Sequence, residues 1–163
     1  MTTKIKLALR TINRRVRKYL SEEYQLKAAH QVGSKIMSLP LYAQAQRIAI
    51  YYPNEGEINL LALWKKAINQ GKRCFFPALQ SPTDMIFLPA DQHTSFKKNK
   101  FGIPEPDVHS REALQADQID IILTPLVAFD LVGTRLGLGA GYYDRALATC
   151  SHPTLVGVAY DFQ

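Results

Sequence analysis

The sequence predicts an α/β protein, a three-layer α/β/α fold with a mostly parallel central sheet. Apolar, strand-like runs alternate along the chain with segments of helical spacing, an order typical of layered α/β proteins. A length of 163 residues and an apolar content of 47% suit a single domain, spanning 1–163, with a substantial core. No apolar run is long enough to cross a bilayer, and the chain begins without an apolar segment of the signal-peptide type. We therefore expect a cytoplasmic protein with no membrane partner.

The first half of the chain predicts three helices and one strand. Apolar residues at spacings of three and four indicate the first helix, and Ser21 is suited to cap the second. Gly71 can take the left-handed conformation that ends the third helix. The predicted elements are helices over 4–18, 22–38 and 58–70, a strand over 47–52 and a turn over 53–56.

The second half predicts short strands that alternate with loops and short helices. Proline, aspartate and lysine dominate residues 89–110, which indicates an irregular surface segment. The remaining predicted elements are strands over 72–77, 85–88, 119–124 and 155–159, an extended run over 126–129, and short helices near 110–116 and 142–149.

Positive charge is concentrated in the first helix. The net charge is +6, and seven cations precede Glu22, the first acidic residue. These cations are Lys4, Lys6, Arg10, Arg14, Arg15, Arg17 and Lys18. A helix of this kind can bind nucleic acid or an anionic surface, form a solvated face, or donate cations to a phosphate site elsewhere in the fold.

The most informative segment is residues 133–145, which contains four glycines, two arginines, two tyrosines and an aspartate. Glycines at alternate positions let the backbone approach a ligand closely and point successive N–H groups at one anion. Arg135 would add a forked cation, and Asp144 an oxygen ligand for Mg²⁺. The segment predicts a nucleotide-phosphate site, although a glycine-rich turn that binds nothing is the alternative. It lacks the Lys-Ser/Thr pair of a Walker A loop and the GxGxxG spacing of a dinucleotide site.

Two candidate segments follow strands of the predicted parallel sheet. Ligands of such sheets bind beyond the carboxyl ends of the strands. The turn within 51–57 follows the first strand, and the glycine-rich segment follows a later one. We expect both segments at the same edge of the sheet, but the sequence does not determine the distance between them.

The run Gly-x-Arg-Leu-Gly-x-Gly-x-Gly-Tyr-Tyr-Asp, which starts at Gly133, resembles the signature of the 5-formyltetrahydrofolate cyclo-ligases. This family is also called the 5,10-methenyltetrahydrofolate synthetases. Further matches follow the family's order: the Lys6–Arg10 pair, the strand and acidic turn over 51–58, the Gly71–Pro77 strand and the Phe101–Pro106 segment. The likeness extends from about Lys6 to Gln163, nearly the whole chain.

The resemblance implies an ATP- and Mg²⁺-dependent enzyme that converts 5-formyltetrahydrofolate to 5,10-methenyltetrahydrofolate and releases ADP and phosphate. In such a reaction the γ-phosphoryl group moves to the formyl oxygen, N10 attacks, and phosphate leaves. Lys6, Arg10 and Arg135 are the implied catalytic cations on the triphosphate, and Asp144 is the implied Mg²⁺ ligand.

The resemblance also assigns two groups of binding residues. ATP would meet the cations and Leu136, Gly137, Leu138, Gly139, Ala140, Gly141, Tyr142 and Tyr143. The folate would meet Tyr51, Tyr52, Glu57 and Phe101, together with Leu138, Gly139, Ala140, Gly141 and Tyr142. Glu57 would accept hydrogen bonds from the aminopyrimidine edge of the pterin; an acid in the first turn of a helix is the alternative. For the aromatic residues, ordinary packing is the alternative.

Two departures from the family pattern accompany the resemblance. Ala140 stands where some members carry lysine. Family chains continue some thirty residues past the position of Gln163, so the domain is expected to lack the family's C-terminal segment and to expose an edge strand. We expect a monomer that binds small molecules and no nucleic acid. The alternative functions are a sugar-phosphate or CoA-ester enzyme of similar fold and a basic nucleic-acid-binding protein. The lysine-rich segment 97–100 either contacts the glutamate of a folate or is a solvated loop.

Overall fold

The computed structural model of the chain describes residues 2–148 and 150–163. Its helices are α1 (Thr3–Lys18), α2 (Glu22–Ser38), α3 (Pro40–Gln44), α4 (Leu61–Asn69) and α5 (Tyr142–Leu147). Its strands are β1 (Arg47–Ala49), β2 (Arg73–Leu79), β3 (Met85–Pro89), β4 (Phe96–Lys98), β5 (Pro104–Pro106), β6 (Ile121–Pro125), β7 (Ala128–Phe129), β8 (Arg135–Leu136) and β9 (Thr154–Val158).

The central sheet has five strands in the order β3-β2-β1-β6-β9. Strand β1 pairs in parallel with β2 and β6, and β6 pairs in parallel with β9. Only the β2–β3 pair of this sheet is antiparallel within the described ranges. The predicted mostly parallel sheet is confirmed. Since β9 has one neighbour, its other edge carries no partner strand in the described part of the chain.

Successive side chains of each strand point to opposite faces of the sheet, and a hydrophobic core lies on each face. Ile48 and Ile50 point toward α2, α3 and α4, and pack with Leu63 and Trp64. Ala49, between them, points to the opposite face, where α5 and residues 114–119 pack. Helical segments therefore cover both faces, as the predicted three layers require.

The structure differs from the sequence prediction between β3 and β6. Residues 89–110 contain an antiparallel hairpin of β4 and β5, which was expected to be irregular; its three-residue strands give too little alternation to detect. The prediction of a helix near 110–116 is wrong. Two single 3-10 turns, 110–112 and 116–118, flank an extended Leu114 that exchanges backbone hydrogen bonds with Phe87.

Other elements begin or end a few residues away from their predicted positions. Helix α3 was not predicted, although Pro40 begins it at a position that proline favours. Helix α4 begins at Leu61 and not at residue 58. Gly71 has φ of 78° and donates its N–H to the carbonyl of Ile68, as expected of a residue that ends a helix. The predicted helix end at residue 149 lies outside the described residues. No helix in the described part of the chain is both long and apolar enough for a membrane span.

Candidate active site

Helix α1 lies across the carboxyl ends of the strands and presents its polar side to them. Arg10 Nε donates to the Gly137 carbonyl at 2.9 Å, Asn13 Nδ2 to Val127 at 2.9 Å and Arg17 Nη1 to Leu126 at 3.2 Å. These donors are spaced by three and four residues, so they share one face of the helix.

The apolar side of α1 faces outward. Four residues gave the helix its sequence signal: Ile5, Ile12 and Val16 are exposed, and Leu9 is half-buried. Helical spacing therefore located the element correctly and gave no information on which side is buried. The inward arginines support the third possibility raised for the basic helix, that it supplies cations to a site within the fold.

The glycine-rich segment forms an open loop beside Arg10. Gly139 has φ of 108° and Gly141 has φ of 74°, conformations that favour glycine. A Cβ on Gly139 would lie 3.3 Å from the guanidinium carbon of Arg10. Within the described ranges, no hydrogen bond uses the amide N–H groups of residues 138–141 as donors. The loop thus offers free backbone donors and a cation side by side.

The residues predicted to hold the triphosphate and the metal are paired with each other. Arg135 Nη2 lies 2.8 Å from Asp144 Oδ1, with 21% and 77% of the two side chains exposed. The Arg135 guanidinium also lies over the ring of Tyr143, 5.5 Å from its centre. This exposed pair can exchange partners at small energetic cost, since solvent screens it.

The donor set is compatible with Mg²⁺ that arrives with phosphate oxygens. The described residues contain no cluster of three or more carboxylate, histidine or cysteine ligands. Mg²⁺ commonly keeps several waters and binds one or two carboxylates together with substrate phosphates. Asp144, exposed at the end of the glycine loop, fits that role. Lys6 is exposed one turn before Arg10 and forms no ion pair with another described residue.

Glu57 is buried at the end of the turn that follows β1. Only 8% of the residue is exposed, and its Oε2 accepts from the Asn54 amide at 3.0 Å. Arg17, 1% exposed, approaches Oε1 to 3.7 Å. Burial raises the pKa of Glu57 to about 7, against the opposing effects of Arg17 and the Asn54 hydrogen bond. Helix α4 begins four residues later, so Glu57 is not an acid in its first turn.

A second pair of residues connects α1 to the same turn. Arg14 binds Glu55 through two hydrogen bonds of 2.6 and 2.7 Å, and Lys18 lies 3.2 Å from the same carboxylate. The Arg14 hydrogen bond is the main reason that the pKa of Glu55 falls to about 2. Glu55 holds a left-handed backbone, with φ of 48°. Sequence reasoning missed Arg14, Asn13 and Arg17 as contacts, although their spacing on one helix face was visible.

The predicted aromatic residues separate into two groups. Tyr51 is 2% exposed, and its hydroxyl donates to the Ile58 carbonyl at 2.7 Å. Tyr52 packs against Phe76 and Phe96. These contacts favour the packing alternative for Tyr51, which has no free face for a ligand.

Tyr142 and Phe101 form the other group, at the surface beside the glycine loop. Their ring centres lie 6.2 Å apart with the rings nearly perpendicular. The Tyr142 hydroxyl donates to the Pro82 carbonyl at 2.8 Å. Arg145, which the sequence did not single out, donates to Thr83 and Ala140 and fixes the loop against the 80–84 turn. Tyr143 lies deeper, and burial raises the pKa of its hydroxyl.

A cavity of about 680 Å³ lies to one side of this edge, between α2 and β9. Of the predicted site residues, Arg135 alone contributes to its described lining. The two segments that the sequence placed at one edge are connected through α1. Arg10 and Arg17 are seven residues apart, about 10 Å along a helix, and they contact the glycine loop and the acidic turn respectively.

The burial of Glu57 predicts a dependence of stability on pH. Its pKa is about 7 when folded and 4.5 ordinarily, so the folded state binds the proton more tightly. The free energy of unfolding should fall as pH rises from about 4.5 to about 7, by an amount on the order of 3 kcal/mol. Urea unfolding across this range would measure it.

The variant Glu57→Gln is the control for that measurement, because it cannot titrate. Glu55 has its pKa lowered, so its stabilising effect is lost only as pH falls below about 4.5. If the free energy of unfolding of Glu57→Gln falls equally steeply with pH, another titrating group is responsible.

Comparison with known proteins gives consistent matches along the chain. A family model described as the 5-formyltetrahydrofolate cyclo-ligase family matches residues 2–163. A 5-formyltetrahydrofolate cyclo-ligase of Haemophilus influenzae is 36% identical over 167 residues, covering 100% of this chain and 89% of the relative. That of Escherichia coli strain K12 is 33% identical over 154 residues, covering 92% of this chain and 85% of the relative.

Solved structures agree with these sequence matches. The NMR structure of Aquifex aeolicus 5,10-methenyltetrahydrofolate synthetase has a TM-score of 0.86 at 34% identity, covering 98% of this chain and 79% of its own. The structure of a 5,10-methenyltetrahydrofolate synthetase from Mycoplasma pneumoniae has a TM-score of 0.76 at 28% identity, covering 96% and 86%.

Proposed function

The chain belongs to the 5-formyltetrahydrofolate cyclo-ligase family and is a ligase; we propose that it converts 5-formyltetrahydrofolate to 5,10-methenyltetrahydrofolate, with ATP as co-substrate and Mg²⁺ as cofactor. ATP and the folate are its proposed small-molecule partners.

The proposed reaction has to overcome two weaknesses of an N-formyl group. Its carbon is a poor electrophile, and its oxygen is a poor leaving group. Transfer of the terminal phosphoryl group of ATP to the formyl oxygen corrects both. N10 then attacks the formyl carbon, the N10 proton is lost, and phosphate leaves as the five-membered ring closes. Such transfers mainly require positioning and neutralisation of charge.

The glycine loop and its neighbouring cations are the proposed triphosphate site. Free amide donors at residues 138–141 lie beside Arg10, and Arg135 begins β8, the short strand that leads into the loop. Lys6, one turn before Arg10 on α1, would add a third cation. Asp144 is the residue that would hold Mg²⁺, which when bound would neutralise charge on the phosphate oxygens.

The acidic turn is the proposed pterin site. Glu57 presents a buried carboxylate. An aminopyrimidine edge has two adjacent N–H groups that can donate hydrogen bonds to such a carboxylate. These donors favour the ionised form, so we expect the pKa of Glu57 to fall when the folate binds. Phe101 and Tyr142 would flank the bound folate nearer the surface.

The single observation that carries this proposal is that α1 connects the two sites. Arg10 touches the glycine loop, and Arg17 touches Glu57, so one rigid helix sets the distance between them. A reaction that joins a nucleotide phosphate to a folate oxygen needs that distance fixed.

The direct test is an absorbance assay. Purified protein is mixed with 5-formyltetrahydrofolate, ATP and Mg²⁺, and the near-ultraviolet absorbance of the methenyl product is followed. We expect product only when all three are present. Absence of product from folded protein, at any ATP or Mg²⁺ concentration, would overturn the proposed function.

The variant Gly139→Ala tests the loop as the phosphate site. A left-handed alanine costs roughly 1–2 kcal/mol, and its Cβ would crowd the Arg10 guanidinium at 3.3 Å. We expect the KM for ATP to rise about tenfold, the factor given by a loss of 1.4 kcal/mol in binding.

Gly71→Ala is the matched control for Gly139→Ala. Gly71 is also left-handed, at φ of 78°, and a Cβ there would meet nothing within 4 Å. It should lose comparable stability without any change in KM. A similar KM for ATP in both variants would argue against the glycine loop as the phosphate site.

A further inference from the structure

We infer that Lys100 binds a carboxylate of the glutamate moiety of the folate, at the outer end of the wall formed by Phe101 and Tyr142. This inference rests on the proposed function, because 5-formyltetrahydrofolate carries a glutamate with two carboxylates. It assigns a position to the end of the substrate that takes no part in the reaction.

Lys100 lies against the aromatic pair beside the glycine loop. Its Nζ is 5.1 Å from the centre of the Phe101 ring and 5.8 Å from that of Tyr142. Both distances fall within the range of a cation–π contact. The ammonium group is therefore held over the aromatic wall and does not extend freely from the surface.

The loop that carries Lys100 is ordered by its own hydrogen bonds. Asn99 Oδ1 accepts from the amides of Phe101 and Ile103, at 2.8 and 3.1 Å. Asn99 Nδ2 donates to the buried Glu105 at 2.7 Å, and Glu105 in turn accepts from the Leu79 amide at 3.0 Å. The loop is thereby tied to β2, which reduces the conformational entropy that a ligand would have to remove on binding.

The charge of Lys100 is not matched by a carboxylate of the protein. Across residues 2–148 and 150–163 it forms no ion pair, whereas Lys97 in the same segment pairs with Asp107 at 2.7 Å. Arg145, whose guanidinium lies 5.1 Å from the centre of the same Tyr142 ring, donates to carbonyl groups and likewise has no carboxylate partner in the described residues. Two cations thus lie against the Tyr142 ring, and an anion is the ligand that this arrangement attracts.

The order of the residues from core to surface matches the order of groups in the folate. Glu57, proposed for the pterin, is 8% exposed, whereas Phe101 is 54% exposed and Lys100 is exposed. The Glu57 carboxylate acts electrostatically on the Tyr143 hydroxyl, and the adjacent Tyr142 contacts Phe101 and Lys100. A folate whose pterin lies at Glu57 can therefore extend outward along these residues and bring its glutamate to the surface near Lys100.

A phosphate group of ATP is the other anion to consider at Lys100. Arg10 and Arg135 already flank the glycine loop, through Gly137 and Tyr143 respectively. Lys100 belongs to the β4–β5 hairpin and reaches Tyr142 from the side of Phe101. Its neighbours are thus those proposed for the folate, and the glutamate is favoured.

The test compares Lys100→Met with Lys98→Met. Methionine keeps the apolar stem and removes the charge. Lys98 is exposed on β4, loses the same charge, and makes no ring contact within the described structure. Calorimetry without ATP measures the Kd of each protein for 5-formyltetrahydrofolate, and for an analogue whose glutamate is replaced by methylamine, which removes both carboxylates. The KM for ATP is measured in parallel.

We expect Lys100→Met to raise the Kd for 5-formyltetrahydrofolate about fivefold, as for an exposed ion pair. Its Kd for the analogue, its KM for ATP and all values of Lys98→Met should match those of the unaltered protein. An equal loss with the analogue, a rise in the KM for ATP in place of the folate effect, or no change at all would each overturn the inference. If the unaltered protein binds no folate, the proposed function fails first, and the inference with it.

Discussion

Replacing Arg135 with alanine is expected to lower kcat by a factor on the order of 10² to 10³, the usual cost of removing one group that stabilises transition-state charge. Arg135 has a single described carboxylate partner, Asp144, whose side chain is 77% exposed. Loss of so exposed a pair should change the free energy of unfolding by less than about 1 kcal/mol. The effect should therefore appear in catalysis and not in folding.

The measurement for Arg135→Ala is the methenyl absorbance assay under saturating substrates, together with a thermal unfolding curve. Arg111→Ala is the matched control, since Arg111 is an exposed arginine in the 110–112 turn. It should keep normal kcat. Normal kcat in Arg135→Ala as well would remove Arg135 from the phosphoryl-transfer site.

Replacing Arg17 with methionine is expected to lower the free energy of unfolding by about 3 kcal/mol at pH 9, because Glu57 loses its counter-charge and must then bind a proton about two pH units above its pKa of about 7. Arg17 is 1% exposed and also donates to the Leu126 carbonyl. Its Nε and Nη2 atoms are buried without a hydrogen-bond partner among the described residues, so part of its burial is already unfavourable. The loss should shrink at pH 5, where Glu57 binds a proton and needs no cation.

Urea unfolding of Arg17→Met at the two pH values measures this effect. The double variant Arg17→Met/Glu57→Gln is the control, since it removes both charges. It should recover most of the stability at pH 9 and show little difference between the two pH values. A loss that is the same at both pH values, or that persists in the double variant, would assign the cost to packing and not to the ion pair.

The parts of the fold that sequence predicted well are those that local patterns determine. Apolar runs located the sheet, and Gly71 marked the end of α4 because a left-handed residue is needed there. The alternating glycines located the candidate phosphate loop, since Gly139 and Gly141 have the positive φ that they suggested. The family resemblance was confirmed by the match over residues 2–163.

The parts that sequence could not supply depend on contacts between distant residues. Periodicity located α1 and gave no sign that Asn13 and Arg17 would face inward, because carbonyl partners at residues 126 and 127 become available only after the sheet forms. The roles of Arg135 and Asp144 were assigned to separate ligands, and their pairing across a loop was not foreseen. Those roles, like that of Glu57, remain predictions.

The way in which α1 is attached determines how easily the proposed substrate sites are disrupted by local unfolding. Three side-chain hydrogen bonds to carbonyl groups and a few ion pairs hold the helix, and its apolar residues add little, because Ile5, Ile12 and Val16 remain in contact with water. Elements with few buried apolar contacts open locally at a lower free energy than the core. Opening of this one helix separates both proposed substrate regions while the sheet persists, so inactivation can precede global denaturation.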